Sequence, residues 1–192
     1  MAAGKDVPRY TVPSLTPEDG AKIAKILQER LNSLTDLQLT LKHVHWNVVG
    51  PNFIAVHEMI DPQVDAVRAM TDQVAERIAT LGVAPVGTPG AIVKARTWED
   101  YHLGRATAIE HLGALDEVYQ GVIGSHRKAA ADTEELDTVT NDMLVGHLHD
   151  LELFHWFVRA HLENAGGDLS TAGATTEIDA ARQARESKKA TG

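Results

Sequence analysis

Apolar residues recur at steps of three and four along the first part of the chain, which predicts one long amphipathic helix. Before it, Thr16 precedes Pro17 and two acidic residues, a combination typical of a helix start. Gly50-Pro51 ends the pattern, so the predicted helix has roughly 30 residues and a length of about 45 Å. The apolar series is Ile23, Leu27, Leu31, Leu34, Leu37, Leu41 and Val44.

Three further stripes with the same period predict three further helices. Asn52 is expected to cap the second helix, which runs to Gly82. The third is expected to open at Thr97-Trp98-Glu99-Asp100 and to reach about Ala130. Thr133-Glu134-Glu135 is expected to open the fourth, which ends at Gly166-Gly167.

The connections between these helices indicate the fold class. The first and third connections are tight, whereas the second is rich in proline and glycine and too long for a hairpin turn, with a short helix expected after Thr88-Pro89. Two tight connections around one long crossover are typical of an all-α, ferritin-like four-helix bundle. We assign residues 16–167 to this bundle, residues 1–15 to an N-terminal tail and residues 168–192 to a flexible C-terminal tail, where periodicity gives way to small and charged residues.

Composition narrows the chemistry. The 192 residues contain no cysteine, which excludes disulfides, thiolate metal sites and cysteine nucleophiles. The net charge of −9 argues against a general nucleic-acid-binding surface and suits the attraction of cations. No apolar run is long enough for a membrane span and the N-terminus lacks a signal-peptide pattern, so we expect a cytoplasmic protein.

Four polar residues form one stripe along the second predicted helix. At about 100° per residue, His57, Asp61, Asp72 and Glu76 fall within about 100° of one another, away from the apolar stripe. A polar face that simply meets water is the ordinary interpretation of such a stripe. His45, just before the helix break, makes a metal site the competing interpretation, since imidazole and carboxylate together suit first-row metals such as iron.

Spacing decides how such a site is built. His57 and Asp61 lie one turn apart, as do Asp72 and Glu76, but about 22 Å of helix separates the two pairs, so one ion cannot contact both pairs of one helix. Two copies packed antiparallel about a two-fold axis near residues 66 and 67 bring the pairs together across a dimer. The alternative is a site inside each bundle, which needs a Glu-x-x-His pair on each of two helices. Glu152 and His155 offer one such pair, but Glu99 and His102 lie at a predicted helix start, and the first helix supplies Gln38, Thr40 and Lys42 where an acid is required.

The motif residues resemble those of the Dps proteins, the mini-ferritins known as DNA-binding proteins from starved cells, with actinobacterial members the most similar. The resemblance is carried by His45-Trp46-Asn47, by Gly50-Pro51-Asn52-Phe53, by the run from Ile54 to Asp61, and by Asp72 with Ala75-Glu76-Arg77. It spans about residues 15 to 165. It implies a hollow twelve-subunit shell that oxidises Fe(II), with hydrogen peroxide in preference to dioxygen, and stores ferric oxyhydroxide.

The same resemblance implies roles for individual residues. His45, His57 and Asp61 of one subunit and Asp72 and Glu76 of its neighbour are expected to bind two ferrous ions, with Trp46 beside them. Asp137 and Asp142 are the candidates for an acidic iron-entry pore near the start of the fourth helix. Sequence-independent DNA binding by the C-terminal tail, with nucleoid association, is expected through Arg182, Arg185, Lys188 and Lys189.

Three functions remain open on the sequence: a ferroxidase and iron store, a nucleoid protein with secondary iron oxidation, and a bundle with a metal site in each monomer. The chain also contains ten histidines. Most of those outside the motifs are expected on the surface; they are His43, His111, His126, His147, His149 and His161.

Overall fold

The computed structural model describes residues 7–190. Four long helices form the bundle: α1 (Pro17–Asn47), α2 (Phe53–Thr80), α4 (Ala108–Thr133) and α5 (Thr138–Leu162). The shorter elements are β1 (Val48–Val49), α3 (Pro89–Ala95), β2 (Ala106–Thr107) and α6 (Glu177–Ala190). The all-α fold with a crossover that carries one short helix is therefore confirmed.

The predicted apolar stripes form the core. Every member of the α1 series from Ile23 to Val44 is buried, and Val56, Ile60, Val67 and Val74 of α2 pack against it. Burial of a large aliphatic side chain contributes about 1.5–3 kcal/mol, so these stripes are the main source of bundle stability. None of the helices within residues 7–190 combines the length and apolarity that a membrane span requires.

The first two helix starts agree with the sequence, and the last two differ from it. Thr16 caps α1 by accepting the amide N–H of Asp19, and Asn52 precedes α2, although in a left-handed conformation with φ of 65° and no side-chain cap. The expected start at Thr97 is wrong, because α4 begins at Ala108. There Thr107 and Glu110 cap each other's backbone amides in a capping box.

The segment before α4 is held in an extended path by side chains of other elements. Trp98 Nε1 donates to Asp36 Oδ2 over 2.8 Å, and the Tyr101 hydroxyl lies 2.9 Å from His111 Nδ1. These long-range contacts replace the local helix predicted there. The start expected at Thr133 is also wrong: α4 continues through Thr133, and Asp137 caps α5 by accepting the amide N–H of Thr140 over 3.0 Å.

A two-residue parallel pairing links the α1–α2 turn to the segment before α4. Val48 pairs with Ala106 and Val49 with Thr107. Such short strands leave no periodic signal in a sequence. The pairing fixes the turn that carries the histidines of the candidate site.

The C-terminal segment is helical where a flexible tail was expected. Thr176 caps α6, and Ala180 and Ala184 are fully buried against α4. A Cβ added at Gly113 of α4 would lie 2.6 Å from the carbonyl oxygen of Ala180, so glycine is required for this close approach. The face of α6 that packs against α4 consists of alanines. No periodic series of large apolar residues therefore predicted this helix.

The N-terminal segment also packs on the bundle. Residues 7–15 contain no helix or strand, but Val12 and Leu15 contact the core. The chain passes over the end of α2, where Gly82 has φ of 85° and a Cβ would lie 2.2 Å from the carbonyl oxygen of Tyr10. Residues 1–6 of the expected tail lie outside the described residues.

Candidate metal centre

The α1–α2 turn stacks two histidines on each other. The rings of His45 and His57 are 3.6 Å apart between centroids and inclined by 23°. His45 Nδ1 lies 3.1 Å from the carbonyl oxygen of His57, and His57 Nδ1 lies 3.0 Å from the carbonyl oxygen of His45. A carbonyl only accepts, so each Nδ1 carries a proton, and Nε2 is the nitrogen of each ring that is left for a metal ion.

Asp61 lies one helical turn beyond His57 and joins the pair. Its Oδ1 is 3.1 Å from His45 Nδ1 and accepts a hydrogen bond from Lys42 Nζ over 2.9 Å. The Lys42 hydrogen bond, with smaller contributions from the two histidines, lowers the pKa of Asp61. The carboxylate is therefore ionised at neutral pH, half exposed and paired with the Lys42 ammonium group.

The remaining predicted ligands stay apart from this cluster. Asp72 and Glu76 are exposed further along α2, on the same side of the helix. Within the part of the chain that the structure describes, no three His, Asp or Glu side chains form a group that could hold a metal ion. One chain thus presents two separate sets of candidate ligands, which is the arrangement expected of a shared site.

Exposed apolar and aromatic side chains surround the histidine pair. Trp46 is 70% exposed, and Lys42 Nζ lies 6.0 Å from its ring. Phe53 packs against His57 with 5.0 Å between ring centroids, and the next residue, Ile54, is more than half exposed. Apolar side chains of this size, grouped around a polar cluster, are typical of a protein–protein contact.

The alternative site inside the bundle is not assembled. Glu152 pairs with Arg127 over 2.5 Å, and His155 Nε2 lies 2.6 Å from Asp116 Oδ1. Glu99 and His102 lie in the loop before α4 rather than at a helix start. Glu152 and His155 thus have separate partners, and Glu99 and His102 lie outside the bundle helices, so the described residues do not assemble the internal site.

Asp116 is a buried residue that the sequence reasoning missed. Its carboxylate contacts His155, accepts the Thr171 hydroxyl over 2.6 Å and accepts Arg159 Nε over 3.2 Å. Burial raises the pKa of Asp116, but the hydrogen bonds from His155 and Thr171 outweigh burial and lower it. The carboxylate therefore joins α4, α5 and the segment that leads to α6.

The expectation of surface histidines is wrong for half of those named. His111, His126 and His147 are buried, and within residues 7–190 neither ring nitrogen of His126 has a hydrogen-bond partner. Burial lowers the pKa of His126 to about 3 and that of His147 to about 4. Their positions on the inner faces of α4 and α5 were the available signal, since His126 lies four residues after Val122 and His147 three after Leu144.

The two candidate pore acids differ in their surroundings. Asp137 is engaged by Arg77, 2.5 Å away, and by its capping bond to Thr140. Burial raises the pKa of Asp137, but the hydrogen bonds from Thr140 and Arg77 outweigh it and lower the pKa. Asp142 is exposed on the first turns of α5. Asp142 is therefore the acid more available to a passing cation.

The candidate DNA-binding residues all lie on α6. Arg182 pairs with Asp179 over 2.5 Å, and Arg185 pairs with Glu110 of α4 over 3.2 Å. Lys188 and Lys189 are exposed near the end of the helix. The basic group is thus presented on an ordered helix, and part of its charge is compensated within the chain.

Comparison with known proteins identifies the fold and the sequence relatives of this chain. The ferritin-like domain model matches residues 24–166. The DNA protection during starvation protein of Mycolicibacterium smegmatis is 58% identical over 92% of this chain and 96% of its own length. The fine tangled pili major subunit of Haemophilus ducreyi is 51% identical over 83% of this chain and 85% of its own.

Solved structures show the same fold. Dps of Mycobacterium smegmatis superposes with a TM-score of 0.86 and 58% identity, covering 87% of this chain and 95% of that one. DpsA14 of Streptomyces coelicolor superposes with a TM-score of 0.85 and 60% identity, covering 86% and 99% of the two chains. With the ferritin-like bundle and the histidine motif at the α1–α2 turn, these matches place the chain in the Dps family of ferritin-like proteins.

Proposed function

We propose that this protein is a ferroxidase and iron store whose di-iron centre is shared between two chains. The observation that carries the proposal is the division of ligands on α2. His57 and Asp61 converge with His45, whereas Asp72 and Glu76 are exposed roughly three to four turns further along. An antiparallel pairing of two α2 helices completes two equivalent centres.

The residues fit Fe(II) as a substrate. Neutral imidazoles and carboxylates hold ferrous iron, and the anionic oxygens favour the ferric product as the metal charge rises. Two ferrous ions supply the two electrons that reduce one hydrogen peroxide to two waters, with uptake of two protons. Two ferrous ions match the two-electron reduction of peroxide but not the four-electron reduction of dioxygen to water, which supports a preference for peroxide. Paired oxidation of this kind also releases no hydroxyl radical, which would protect DNA.

Assembly into a hollow dodecamer provides the storage volume for Fe(III) oxyhydroxide. The exposed apolar residues around Trp46 supply the two-fold contact in this proposal. The pore proposal rests mainly on Asp142, with Asp137 committed in part to Arg77. The net charge of −9 per chain favours the concentration of cations at the shell surface.

Complementation between two inactive variants tests the shared centre. Asp72→Ala and His57→Ala, each assembled alone, are expected to lose most peroxide-dependent Fe(II) oxidation because every centre lacks a ligand. After the two variants are dissociated and reassembled together, mixed dimers contain one centre with both substitutions and one intact centre. Partial recovery of oxidation is therefore expected.

Glu29→Ala serves as the matched control, because Glu29 is an exposed acid of α1 outside the ligand stripe of α2. It should retain full activity and the same oligomer size. Subunit mixing is verified by mass labelling of one variant. No recovery in verified mixed dimers would contradict the shared centre, and full activity in a monomeric variant that depends on Glu152 would favour a site inside each bundle.

DNA binding by α6 is the second candidate function, favoured by its exposed Arg182, Lys188 and Lys189. Glutamine at these positions should weaken binding of duplex DNA without regard to sequence. Each lost phosphate contact reduces the slope of log affinity against log salt by about 0.9. Gel shifts over a salt series measure this slope, with Arg105→Gln as the control. An unchanged slope would show that α6 does not contact DNA. Iron oxidation that is retained while DNA binding is weakened would show that the two functions are separate.

A further inference from the structure

A cavity of about 630 Å³ lies on the side of the bundle formed by α1 and α4. The loop from Thr97 to His102 and the start of α6 form its rim. The wall between the helices is apolar and includes Leu37, Val118 and Val122. Its volume is within the range of about 300–1,000 Å³ found for small-molecule sites. None of the proposed iron ligands lines it.

Arg30 is a buried charge that lines this cavity. Its side chain is 7% exposed, and among the described residues its guanidinium has one hydrogen-bond partner, the neutral hydroxyl of Ser125. No described carboxylate lies within ion-pair distance of it. Burial lowers the pKa of Arg30 and outweighs the opposing effect of Glu29. A buried guanidinium without an anion is costly, so an anionic group from outside the chain would stabilise this side chain.

The opposite end of the same cavity is acidic. Glu117 of α4, Glu99 of the rim loop and Glu177 at the start of α6 all line it. Glu177 is occupied by the backbone amide and the ring of His102. The side-chain amide of Gln120 donates to Glu117, and in the described residues no cation pairs with Glu117 or Glu99.

The two ends are separated along the helices. Arg30 lies near Ser125, whereas Glu117 lies eight residues before Ser125 on α4, a distance of about 12 Å. Asp36 of α1, six residues after Arg30, lines the acidic end but is already paired with Arg96 and Trp98. The cavity therefore has a positive end, an apolar wall and a negative end in series.

We propose that this cavity binds a linear amphipathic zwitterion. Its carboxylate pairs with Arg30 and accepts from the neighbouring hydroxyls, its aliphatic chain lies on the wall of Leu37, Val118 and Val122, and its ammonium group meets Glu117 and Glu99. A simple fatty acid would leave an apolar end among carboxylates, and a simple amine would leave Arg30 without an anion. A zwitterion satisfies both ends at once.

Binding of three related probes to the full-length assembled protein tests this proposal. ω-Aminooctanoic acid carries both charges, octanoic acid only the carboxylate, and octylamine only the ammonium. A charge-assisted hydrogen bond contributes about 1.5–3 kcal/mol, so the zwitterion should bind at least about tenfold more tightly than either single-charge probe. Calorimetry measures the affinities, and a change in tryptophan fluorescence that disappears in Trp98→Phe reports occupancy of this cavity.

Two variants test which end of the cavity binds the carboxylate of the probe and which end binds its ammonium group. Arg30→Gln should reduce the affinity for ω-aminooctanoic acid to about that for octylamine, and Glu117→Gln should reduce it to about that for octanoic acid. Arg105→Gln, an exposed arginine outside the cavity, should leave it unchanged. If Arg30→Gln fails to fold, the probe series on the wild type and Glu117→Gln still decide the question. Absence of saturable binding, equal affinities for the three probes, or no effect of Glu117→Gln would overturn the proposal.

Discussion

At the scale of single residues, the candidate metal centre is defined by which atoms are already engaged. The Nδ1 atoms of His45 and His57 are bound to backbone carbonyls, which directs both Nε2 atoms away from the turn. The sequence predicted these ligands through their motif. The sequence did not predict the hydrogen bond from Lys42 to Asp61, because this contact joins two helices and depends on their relative rotation.

Lys42 competes with a metal ion for Asp61. Lys42→Met removes the ammonium group and retains the aliphatic stem, so a metal ion no longer has to displace it. An exposed ion pair is weak, so the affinity for Co(II), a redox-stable probe, should rise by no more than about fivefold. Calorimetry on the assembled protein measures the affinity. Lys25→Met, on the exposed side of α1, is the control, and weaker binding by Lys42→Met would show that the lysine positions the carboxylate instead.

Asp116 provides a residue-scale prediction on stability. Asp116→Asn leaves His155 and Arg159 without their carboxylate, and loss of one partner from a buried ion pair costs about 3 kcal/mol. The expected decrease in Tm is about 6–12 °C for a chain of this size. Thermal unfolding followed by circular dichroism measures it. Asp132→Asn, which removes an exposed partner of Lys128, should shift the Tm by far less; equal shifts would contradict a structural role for Asp116.

At the scale of elements, the sequence predicted helices with large apolar residues and missed those without them. The stripes of α1 and α2 gave their positions directly, since their leucines, isoleucines and valines are buried. The starts of α4 and α5 were misplaced because Thr97 and Thr133 have suitable side chains but occupy other environments. Helix α6 was missed because alanines form its buried face and Ile178, its one large apolar residue, is exposed.

Gly113 tests the docking of α6. In Gly113→Ala, the added methyl group meets the backbone of Ala180 at 2.6 Å, so α6 must move away from α4 and lose the contact between Arg185 and Glu110. We expect faster hydrogen exchange in residues 177–190 and a loss of about 1–3 kcal/mol in the free energy of unfolding. Gly124→Ala on the same helix meets nothing within 4 Å and should instead stabilise by about 0.5–1 kcal/mol. Unchanged exchange in α6 of Gly113→Ala would contradict the close packing.

At the scale of the whole molecule, the sequence predicted the division of candidate ligands along α2 but did not predict the buried histidines. The division of ligands along α2 follows from helix geometry, so spacing alone predicted a site that requires two chains. The buried histidines depend on which α4 and α5 faces meet, and a sequence does not reveal that pairing in advance. His126 and His147, with 5.6 Å between ring centroids, consequently add an acid sensitivity that the composition did not predict.

The buried histidine pair is expected to lower the free energy of unfolding as the pH falls. The folded pKa values of His126 and His147, about 3 and about 4, lie below the value of 6.5 for an unperturbed histidine. The unfolded chain therefore binds more protons below about pH 6.5, and the free energy of unfolding falls there by up to about 1.4 kcal/mol per pH unit for each histidine. Denaturant unfolding between about pH 7 and pH 5, at one fixed protomer concentration, measures this slope. A variant with both His126→Gln and His147→Gln should lose most of it, whereas His149→Gln, which is exposed, should retain it. Parallel curves for the double variant and the wild type would show that the buried pair does not control the response to acid.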